Sequence, residues 1–379
     1  MLWLRGFCRN WREVLLGSRD FVRFLFWRVP SKCVLIAEPN AFHGECLPGY
    51  VAYFEALGYQ CVVLLRFANV ADDPFCRFEH RPTCFCLTIW GMRKVLRMRK
   101  VKDFEYVLIG SSQSYLEEYR YWWRYLDFLG KLPEGKYGYG VIEHDFSRDA
   151  YGDFWDKQTE GSSYLEQMLQ HTFMLTATPF RNTSIPMLNP HDFGMVKARK
   201  GFAGNKRIFI TIGTVSANNR NFGAMFQAFD ELSSVGKSFE VWIIGKIRSP
   251  ELLANRSYAR AFGRVSFEEM YVRLEQSDFI LPLLEPDTQR YYLEGCTSGT
   301  RQLIFGFKIV PVIHRAFAKR YGLDESACVA YEDSGLAEAL GRALELDERQ
   351  YVNCVEQLAL ARQRVWDESI ANLQARIYA

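Results

Sequence analysis

The stretch DFILPLLEPDTQRYYLEGCTSGTRQLIFGFKIVPV, residues 278–312, decides the fold of the second half of this chain. Its apolar runs, residues 279–284 and 309–313, have the length and composition of buried parallel strands. Between them, a polar turn at residues 296–300 precedes a segment that can form a helix until Gly306 ends it. The stretch therefore predicts a strand, a turn, a helix and a second strand.

The turn in this unit predicts an anion site. Thr297, Ser298, Gly299 and Thr300 place small hydroxyls and backbone N–H groups at a helix N-terminus, where the helix dipole favours a phosphate. The same residue types are also ordinary turn and capping residues. The choice between the two interpretations depends on the neighbouring segments.

Those neighbours continue the alternation of strands and helices. Residues 208–232 indicate a strand, a glycine turn and a helix, residues 239–245 a strand that ends in glycine, and residues 264–284 a helix and a strand. This order of parts resembles the C-terminal, nucleotide-sugar-binding half of GT-B glycosyltransferases, here over residues 207–346. The first half of the chain shows the same alternation more weakly.

The resemblance implies an α/β fold with two Rossmann-like domains that face each other across a cleft. A chain of 379 residues exceeds the usual single core, so two domains are also expected from its length. The predicted parts are a basic and aromatic segment (1–29), an acceptor-binding domain (30–180), a proline- and glycine-rich linker (181–206), a donor-binding domain (207–346) and a C-terminal helix that packs back on the first domain (347–379).

The resemblance also implies an activity, the transfer of a hexosyl-type sugar from a UDP- or GDP-linked donor to an acceptor hydroxyl, with no metal or other cofactor. Gly213 ends the first strand of the donor domain, and Arg220 stands where the family places a Lys or Arg on the diphosphate. Stabilising the charge of the leaving diphosphate is the main task of such a site. The predicted donor-binding residues are Gly213, Arg220, Glu285, Glu294, Thr297, Ser298, Gly299 and Thr300.

One feature departs from the family pattern. The common retaining branch has a pair of glutamates at a fixed spacing, and Glu285 and Glu294 are one residue further apart than that spacing. Both also precede the turn, and the expected place of the second glutamate falls on Arg301 or Gln302. Whether the transfer retains or inverts the anomeric configuration therefore stays open.

The first half of the chain predicts an acceptor site at the ends of its strands. Residues 33–37, 60–66, 105–110 and 139–143 are apolar strand-like runs, and ligands bind beyond the carboxyl ends of such strands. A base that deprotonates a sugar hydroxyl is a carboxylate or an imidazole. The predicted catalytic residues are His144, Asp145 and Glu45, with His43 and Gly44 as acceptor-binding residues and Asp149 or Asp153 as the next candidates for the base. Ordinary loop solvation is the alternative for these acidic residues.

A helix is predicted after the third of these runs, over residues 115–129, because aromatic residues recur there at intervals of three and four. No G-x-G-x-x-G follows the first strand, so a dinucleotide enzyme is disfavoured.

The N-terminal segment predicts contact with a membrane. Residues 1–32 carry seven basic residues against Glu13 and Asp20, and residues 91–102 carry six basic residues and no acidic one. As a helix, residues 91–102 would present a basic amphipathic face. Aromatic and basic residues together are typical of segments that lie on anionic lipid. No apolar run is long enough to span a bilayer, and no signal peptide is evident. A helix packed on its own domain and a nucleic-acid-binding arm are the alternatives.

These observations favour a cytoplasmic, bacterial-type transferase for polysaccharide or glycolipid, peripherally attached to the inner face of the membrane. The expected partners are a nucleotide-sugar donor, a glycan or lipid-linked acceptor and an anionic membrane surface, and no nucleic acid. Ten scattered cysteines are typical of reduced thiols in the cytosol. Two alternatives remain: a GT-B-fold nucleotide-sugar epimerase, and a non-catalytic scaffold that binds membrane or a partner.

Overall fold

The computed structural model describes residues 2–116, 121–124, 138–144, 169–180, 183–199, 201–202, 204, 206–216 and 220–378. The chain forms two compact units. The first comprises residues 1–194 and 367–379, and the second comprises residues 195–366.

The first unit is built on a parallel sheet of six strands. The strands of this unit are β1 (Cys33–Ala37), β2 (Gln60–Leu65), β3 (Thr83–Cys86), β4 (Tyr106–Ile109), β5 (Gln113–Leu116), β6 (Tyr121–Arg124), β7 (Gly138–Glu143), β8 (Thr172–Met174), β9 (Thr178–Phe180) and β10 (Thr183–Ile185). Its helices are α1 (Leu2–Phe26), α2 (Leu47–Ala56), α3 (Phe67–Asp72) and α4 (Ile89–Leu96), with 3-10 helices at Gly44–Cys46 and Arg99–Asp103. The strand order in the sheet is β3-β2-β1-β4-β7-β8.

Strand β1 lies at the centre of this sheet because all five of its residues are apolar and fully buried. Strands of a parallel sheet are covered on both faces, which requires a continuous apolar run rather than alternation. Strand β1 pairs with β2 and β4, and Ala37 is level with both Leu64 and Ile109. The carboxyl ends of β1, β2 and β4 therefore lie side by side.

Helix α1 packs on this sheet through one face. The Phe24 ring lies edge-on against Phe85, with ring centroids 5.2 Å apart, and parallel to Phe104. The Asp20 carboxylate accepts a hydrogen bond of 2.8 Å from the backbone N–H of Cys86. The N-terminal segment is thus a folded helix of the first unit.

Two predicted helices of this unit are wrong. Strands β5 and β6 form an antiparallel pair where a helix was expected over residues 115–129, and the rest of that segment lies outside the described residues. Tyr and Trp suit strands at least as well as helices, so aromatic spacing alone does not discriminate. Residues 91–102 are not one helix either: α4 ends at Leu96, and Met98 is extended so that Val101 can enter the core.

The second unit has a second parallel sheet with the same topology, in the order β13-β12-β11-β14-β15-β16. Its strands are β11 (Arg207–Ile212), β12 (Phe239–Ile244), β13 (Ala259–Gly263), β14 (Phe279–Ile280), β15 (Val310–His314) and β16 (Val329–Tyr331). Its helices are α5 (Phe222–Ser234), α6 (Phe267–Gln276), α7 (Tyr291–Glu294), α8 (Thr300–Phe307), α9 (Arg315–Tyr321) and α10 (Leu336–Glu345). The prediction of two Rossmann-like domains is therefore confirmed.

Two boundaries in the stretch at residues 278–312 differ from the prediction. Strand β14 pairs only over Phe279–Ile280, because Pro282 has no N–H to donate and Leu283 has a left-handed backbone with φ of 54°. Helix α8 continues through Gly306 to Phe307, and the next residue, Lys308, is left-handed with a φ of 47°. Burial of the whole helix outweighs the modest cost of one internal glycine.

The last helix, α11 (Glu348–Ile377), begins in the second unit and ends in the first. Near its end, Asn372 donates a hydrogen bond to the Met187 carbonyl and the Ser369 hydroxyl accepts one from the Asn189 N–H. No helix in the part of the chain that the structure describes combines the length and the apolar character needed to cross a bilayer.

Candidate functional site

Both sheets have a strand order in which the first and fourth strands are neighbours. In such a sheet the connections leave in opposite directions at this point, so a crevice opens beyond the carboxyl ends of the two strands. The crevice lies beyond β11 and β14 in the second unit and beyond β1 and β4 in the first. We call the polar residues of the second unit the arginine edge (Gly213, Arg220, Asn221, Glu285, Ser298, Thr300, Tyr321) and those of the first unit the glutamate edge (Glu38, His43, Glu45, Ser111, Ser112, Glu143, His144).

Arg220 is the cation among the residues that define the arginine edge. Its Nη1 donates a hydrogen bond of 2.8 Å to the Ile212 carbonyl, and burial lowers the pKa of its guanidinium. Among the described residues, no carboxylate forms an ion pair with Arg220. A desolvated cation without a carboxylate is costly unless an anion completes its surroundings, so this position is suited to a bound anion.

Glycine is required where β11 and β12 end. Gly213 has a φ of 151°, and a Cβ at this position would lie 3.1 Å from the Arg220 Cζ. Gly245 ends β12 with a φ of 142°, and a Cβ there would lie 1.9 Å from the Gly213 carbonyl oxygen. The two glycines allow the backbones at the ends of β11 and β12 to approach closely, and they leave room for the Arg220 guanidinium at the end of the sheet.

Tyr321 is a buried tyrosine close enough to Arg220 to feel its charge. Burial raises the pKa of the Tyr321 hydroxyl to about 12, while the Arg301 and Arg220 guanidinium groups act in the opposite direction. In the turn before helix α8, the Ser298 hydroxyl donates to the Thr300 hydroxyl, 3.2 Å away. Ser298 and Thr300 are buried, whereas Gly299 is exposed with open space beside it.

The two predicted glutamates have different surroundings. The half-buried Glu285 accepts hydrogen bonds from the Asn221 side chain at 3.2 Å and the Tyr331 hydroxyl at 3.3 Å. Asn221 in turn caps helix α5 through the Ala224 N–H. Glu294 instead pairs with Arg290 at 2.5 Å on the exposed side of helix α7.

The structure therefore places Gly213 against Arg220, joins Ser298 to Thr300 through their hydroxyls, and holds Glu285 at Asn221, the residue after Arg220. Thr297 is half-buried next to the same turn, and Gly299 belongs to it. The described contact of Glu294 involves none of these residues.

Glu38 is the most deeply buried acid of the glutamate edge. It follows β1 directly, and its Oε1 accepts hydrogen bonds of 2.8 Å from both the Asn40 N–H and the Ser111 hydroxyl. A Cβ on Gly110 would lie 2.6 Å from the Glu38 Oε2, so a larger residue there would have to displace the Glu38 carboxyl. Burial raises the pKa of Glu38 to about 8, which keeps this carboxyl protonated near neutral pH.

His144 lies beside Glu38 and Ser111. Its Nε2 is 2.7 Å from the Gly110 carbonyl and 3.4 Å from the Ser111 hydroxyl. A carbonyl only accepts, so we assign the proton to Nε2, which leaves Nδ1 as the acceptor. Burial, reinforced by His43, lowers the pKa of His144 to about 3. The imidazole is therefore neutral near neutral pH with Nδ1 as its acceptor, and the lowered pKa makes it a weaker base than a free imidazole.

His43 and Glu45 complete this edge. The His43 ring lies 4.1 Å from the His144 ring between centroids, and burial lowers the pKa of His43 to about 4. The Glu45 carboxylate accepts from the His43 N–H at 3.2 Å, and burial raises the pKa of Glu45. Gly44, between them, faces the Asn69 side chain. The structure thus brings together His43, Gly44, Glu45 and His144, while Asp145, Asp149 and Asp153 lie outside the described residues.

Two further contacts extend the site. Glu143 accepts a hydrogen bond of 2.7 Å from the Ser112 hydroxyl and one of 3.0 Å from the His144 N–H. Ligand atoms of His43, Glu45 and Cys46 lie within 4.8 Å of one another, so this group of described residues could hold a metal ion. Metal independence stays a prediction.

Glu38 and Ser111 are site residues that the sequence analysis did not predict. Glu38 directly follows β1, and Ser111 follows β4 after Gly110. Polar residues at the ends of buried strands are also what singled out His144, and the same rule applied to β1 and β4 would have found both. Their contact joins residues far apart in the chain, so no spacing in the sequence reveals it.

No family model matches this chain, and no curated protein matches it. Several solved structures are similar to it in fold. AviGT4, a glycosyltransferase involved in avilamycin A biosynthesis, is 14% identical with a TM-score of 0.53, over 92% of this chain and 97% of that one. An α-glucosyltransferase in complex with UDP and a 13-mer DNA is 17% identical with a TM-score of 0.54, over 87% and 95%. Sucrose-phosphate synthase from Thermosynechococcus elongatus is 11% identical with a TM-score of 0.54, over 91% and 98%.

At these identities the likeness shows the fold. The chain has the GT-B fold, as its resemblance predicted.

Proposed function

We propose that this chain is a glycosyltransferase that moves a sugar from a nucleoside-diphosphate donor, UDP- or GDP-linked, to an acceptor hydroxyl. One observation carries the proposal: the desolvated Arg220 guanidinium lies at the switch point of a Rossmann-like sheet and has no carboxylate partner among the described residues. In this fold such a position suits the diphosphate of a nucleotide. One solved structure of similar fold holds UDP.

The donor half of the reaction is the departure of the nucleoside diphosphate. Negative charge develops on the diphosphate oxygen as the bond to the anomeric carbon breaks. Arg220 would neutralise this charge, and the backbone N–H groups at the start of helix α8 would donate to the phosphate oxygens. Glu285, held by Asn221 and Tyr331, would accept hydroxyl groups of the ribose or the sugar.

The acceptor half needs a base if the transfer inverts the anomeric configuration. His144 would take the acceptor hydroxyl proton on Nδ1, because the Gly110 carbonyl holds the proton on Nε2. Glu45 and Asp145 remain the other candidates for this role. A retaining transfer by front-face attack would need no base. The effect of replacing His144 on turnover therefore helps to distinguish an inverting from a retaining transfer.

We further propose that the acceptor is a glycan or lipid-linked glycan of polysaccharide or glycolipid synthesis, presented at the inner face of the membrane to a cytoplasmic enzyme that needs no metal. Exposed apolar residues on helix α1, next to arginines, support a membrane-bound acceptor. The DNA in one similar structure makes nucleic acid an alternative acceptor that assays should include.

The test of the donor site is thermal unfolding with UDP, GDP and ADP. A ligand that binds only the folded chain adds about 2.7 kcal/mol of stability at about 100 times its Kd. Arg220→Ala should weaken nucleotide binding by about 1.5–3 kcal/mol, because one charge-assisted contact with phosphate is lost. The matched control is Arg260→Ala, which removes an exposed arginine that pairs with Glu240. Unchanged nucleotide affinity in Arg220→Ala would show that this arginine does not hold the donor.

Activity assays separate the transferase from its alternatives. A transferase releases nucleoside diphosphate in proportion to added acceptor, whereas an epimerase converts the donor sugar without any acceptor. A scaffold binds no nucleotide at all, so it shows no thermal shift with any member of the panel.

A further inference from the structure

Helix α1 has an apolar face that is exposed among the residues that the structure describes. Its buried face carries Gly17, Asp20 and Phe24. On the other side, Leu15, Val22 and Phe26 are 64%, 52% and 85% exposed. Residues spaced by three, four and seven share one side of a helix. We call this face the outer stripe; it consists of Trp11, Val14, Leu15, Val22, Leu25 and Phe26, all exposed.

An outer stripe of this kind is unusual for a helix that is already packed. Contiguous exposed apolar surface on a soluble domain marks a site of interaction rather than ordinary surface. Exposed arginines flank the stripe, among them Arg12, Arg19 and Arg23. Arg19 and Arg23 both contact Asp20, which holds them beside the stripe.

A basic cavity of about 580 Å³ lies immediately after helix α1. It is lined by Trp27, Arg28, Val29, Arg99, Lys100 and Asp103. The Lys100 ammonium donates hydrogen bonds to the carbonyls of Phe24 and Leu25, at 2.6 and 3.1 Å, and thereby ties the cavity to the end of the helix. Arg28 and Arg99 are exposed, and among the described residues neither forms an ion pair.

We propose that the outer stripe and this cavity together bind an anionic phospholipid surface. The stripe lies among the acyl chains near the headgroups, and Arg28 and Arg99 contact a headgroup phosphate in the cavity. The inference rests on the proposed function only for its purpose, which is to bring the enzyme to a membrane-bound acceptor.

The charges favour a lipid surface over other occupants. Apolar side chains and cations lie side by side here, as acyl chains and phosphates do at the surface of an anionic bilayer. Duplex DNA would match the arginines but leave the outer stripe uncovered, and a second copy of the chain would cover the stripe but bring more arginines.

The assignment differs from the predicted basic face at residues 91–102. Arg93 is buried with its guanidinium over the Trp90 ring, and Lys100 is committed to the carbonyls of helix α1. Arg99 lines the cavity and is exposed, so it is the residue of that run that we place on the lipid.

The experiment is vesicle sedimentation of the full chain with phosphatidylcholine alone and with phosphatidylcholine and phosphatidylglycerol in equal parts. Arg28→Gln with Arg99→Gln should weaken binding to the anionic vesicles by about 25-fold, about fivefold for each arginine. The matched control removes the same charge from the second unit, by Arg260→Gln with Arg342→Gln, and should change binding far less.

A second variant tests the contribution of the outer stripe to vesicle binding. Leu15→Ser, Val22→Ser and Phe26→Ser together should lower binding by at least about tenfold, because exposed apolar area no longer enters the lipid. The matched control is Val235→Ser, Val272→Ser and Leu360→Ser, which removes three exposed apolar residues of the second unit. A melting temperature measured for each variant confirms that it is folded.

Several results would overturn the proposal. One is equal binding of the full chain to neutral and anionic vesicles. Another is an equal loss of vesicle binding in the variants and their matched controls. The third is a stripe variant that loses self-association or DNA binding but still binds vesicles. The thermal shift with UDP is measured on the same variants. Lost vesicle binding with an intact UDP shift supports the lipid site, and a wild-type chain that binds vesicles but no nucleotide contradicts the transferase alone.

Discussion

The arginine edge and the glutamate edge occupy the same place in two sheets of the same strand order, yet they carry different ionisable side chains. One holds a desolvated guanidinium among tyrosines and hydroxyls, and the other holds three glutamates and two histidines. Topology opens a crevice at both places, so topology cannot be the source of the difference. The side chains that follow each strand decide which chemistry each crevice supports.

The comparison predicts that substitutions at the two edges impair different steps, nucleotide binding at one and turnover at the other. A variant of the arginine edge should lose nucleotide affinity, and a variant of the glutamate edge should lose turnover while nucleotide affinity stays. The first half of this contrast is tested by Arg220→Ala, and the predictions that follow test the second half and its limits.

The largest effect is expected for His144→Asn. Loss of a general base lowers the rate by about 10²–10⁴, while the thermal shift with UDP should match that of the wild type. The control is His80→Asn, which changes an exposed histidine of the same unit. Near-native turnover in His144→Asn would place the base elsewhere or favour a retaining mechanism without one.

The next effect concerns the pH dependence of stability. Because the pKa of Glu38 is raised from about 4.5 to about 8 in the folded chain, the folded state binds more protons than the unfolded state between these pH values. The free energy of unfolding therefore falls as pH rises through this window. Glu38→Gln, which is neutral at every pH, should remove this fall and be more stable than the wild type above about pH 8, by up to a few kcal/mol.

Urea unfolding of both proteins at about pH 5 and about pH 9 measures this effect. The difference between the two proteins isolates Glu38, because the other shifted groups are common to both. Parallel pH profiles would mean that Glu38 is ionised in the folded chain at neutral pH.

The smallest effects separate the two glutamates of the second unit. Glu285→Ala leaves the Asn221 amide and the Tyr331 hydroxyl without their acceptor and should cost about 1–3 kcal/mol of stability. Glu294→Ala breaks only an exposed pair with Arg290 and should cost less than about 0.5 kcal/mol. Both are measured by urea unfolding at neutral pH, and equal costs would contradict this assignment of roles.

Much of the fold could be predicted because strands of parallel sheets are continuous apolar runs. Residues 33–37 and 139–143 stand out for this reason, and so do both strands of the stretch at residues 278–312. The hairpin of β5 and β6 could not be predicted in the same way, since its aromatic residues suit a helix as well as a strand. The end of helix α4 at Leu96 could not be predicted for another reason, because it depends on the packing of Val101 in the core.

The sequence by itself determined where the crevices lie, because polar residues directly follow buried strands and the strands are parallel. It also predicted most members of the arginine edge, among them Arg220 and Ser298, and three of the seven members of the glutamate edge, His43, Glu45 and His144. Only the tertiary structure decided their states. The pairing of Glu38 with Ser111, the tautomer of His144 and the desolvation of Arg220 come from contacts between distant segments. Burial and neighbouring charges, which set a pKa, are properties of packing that no local pattern contains.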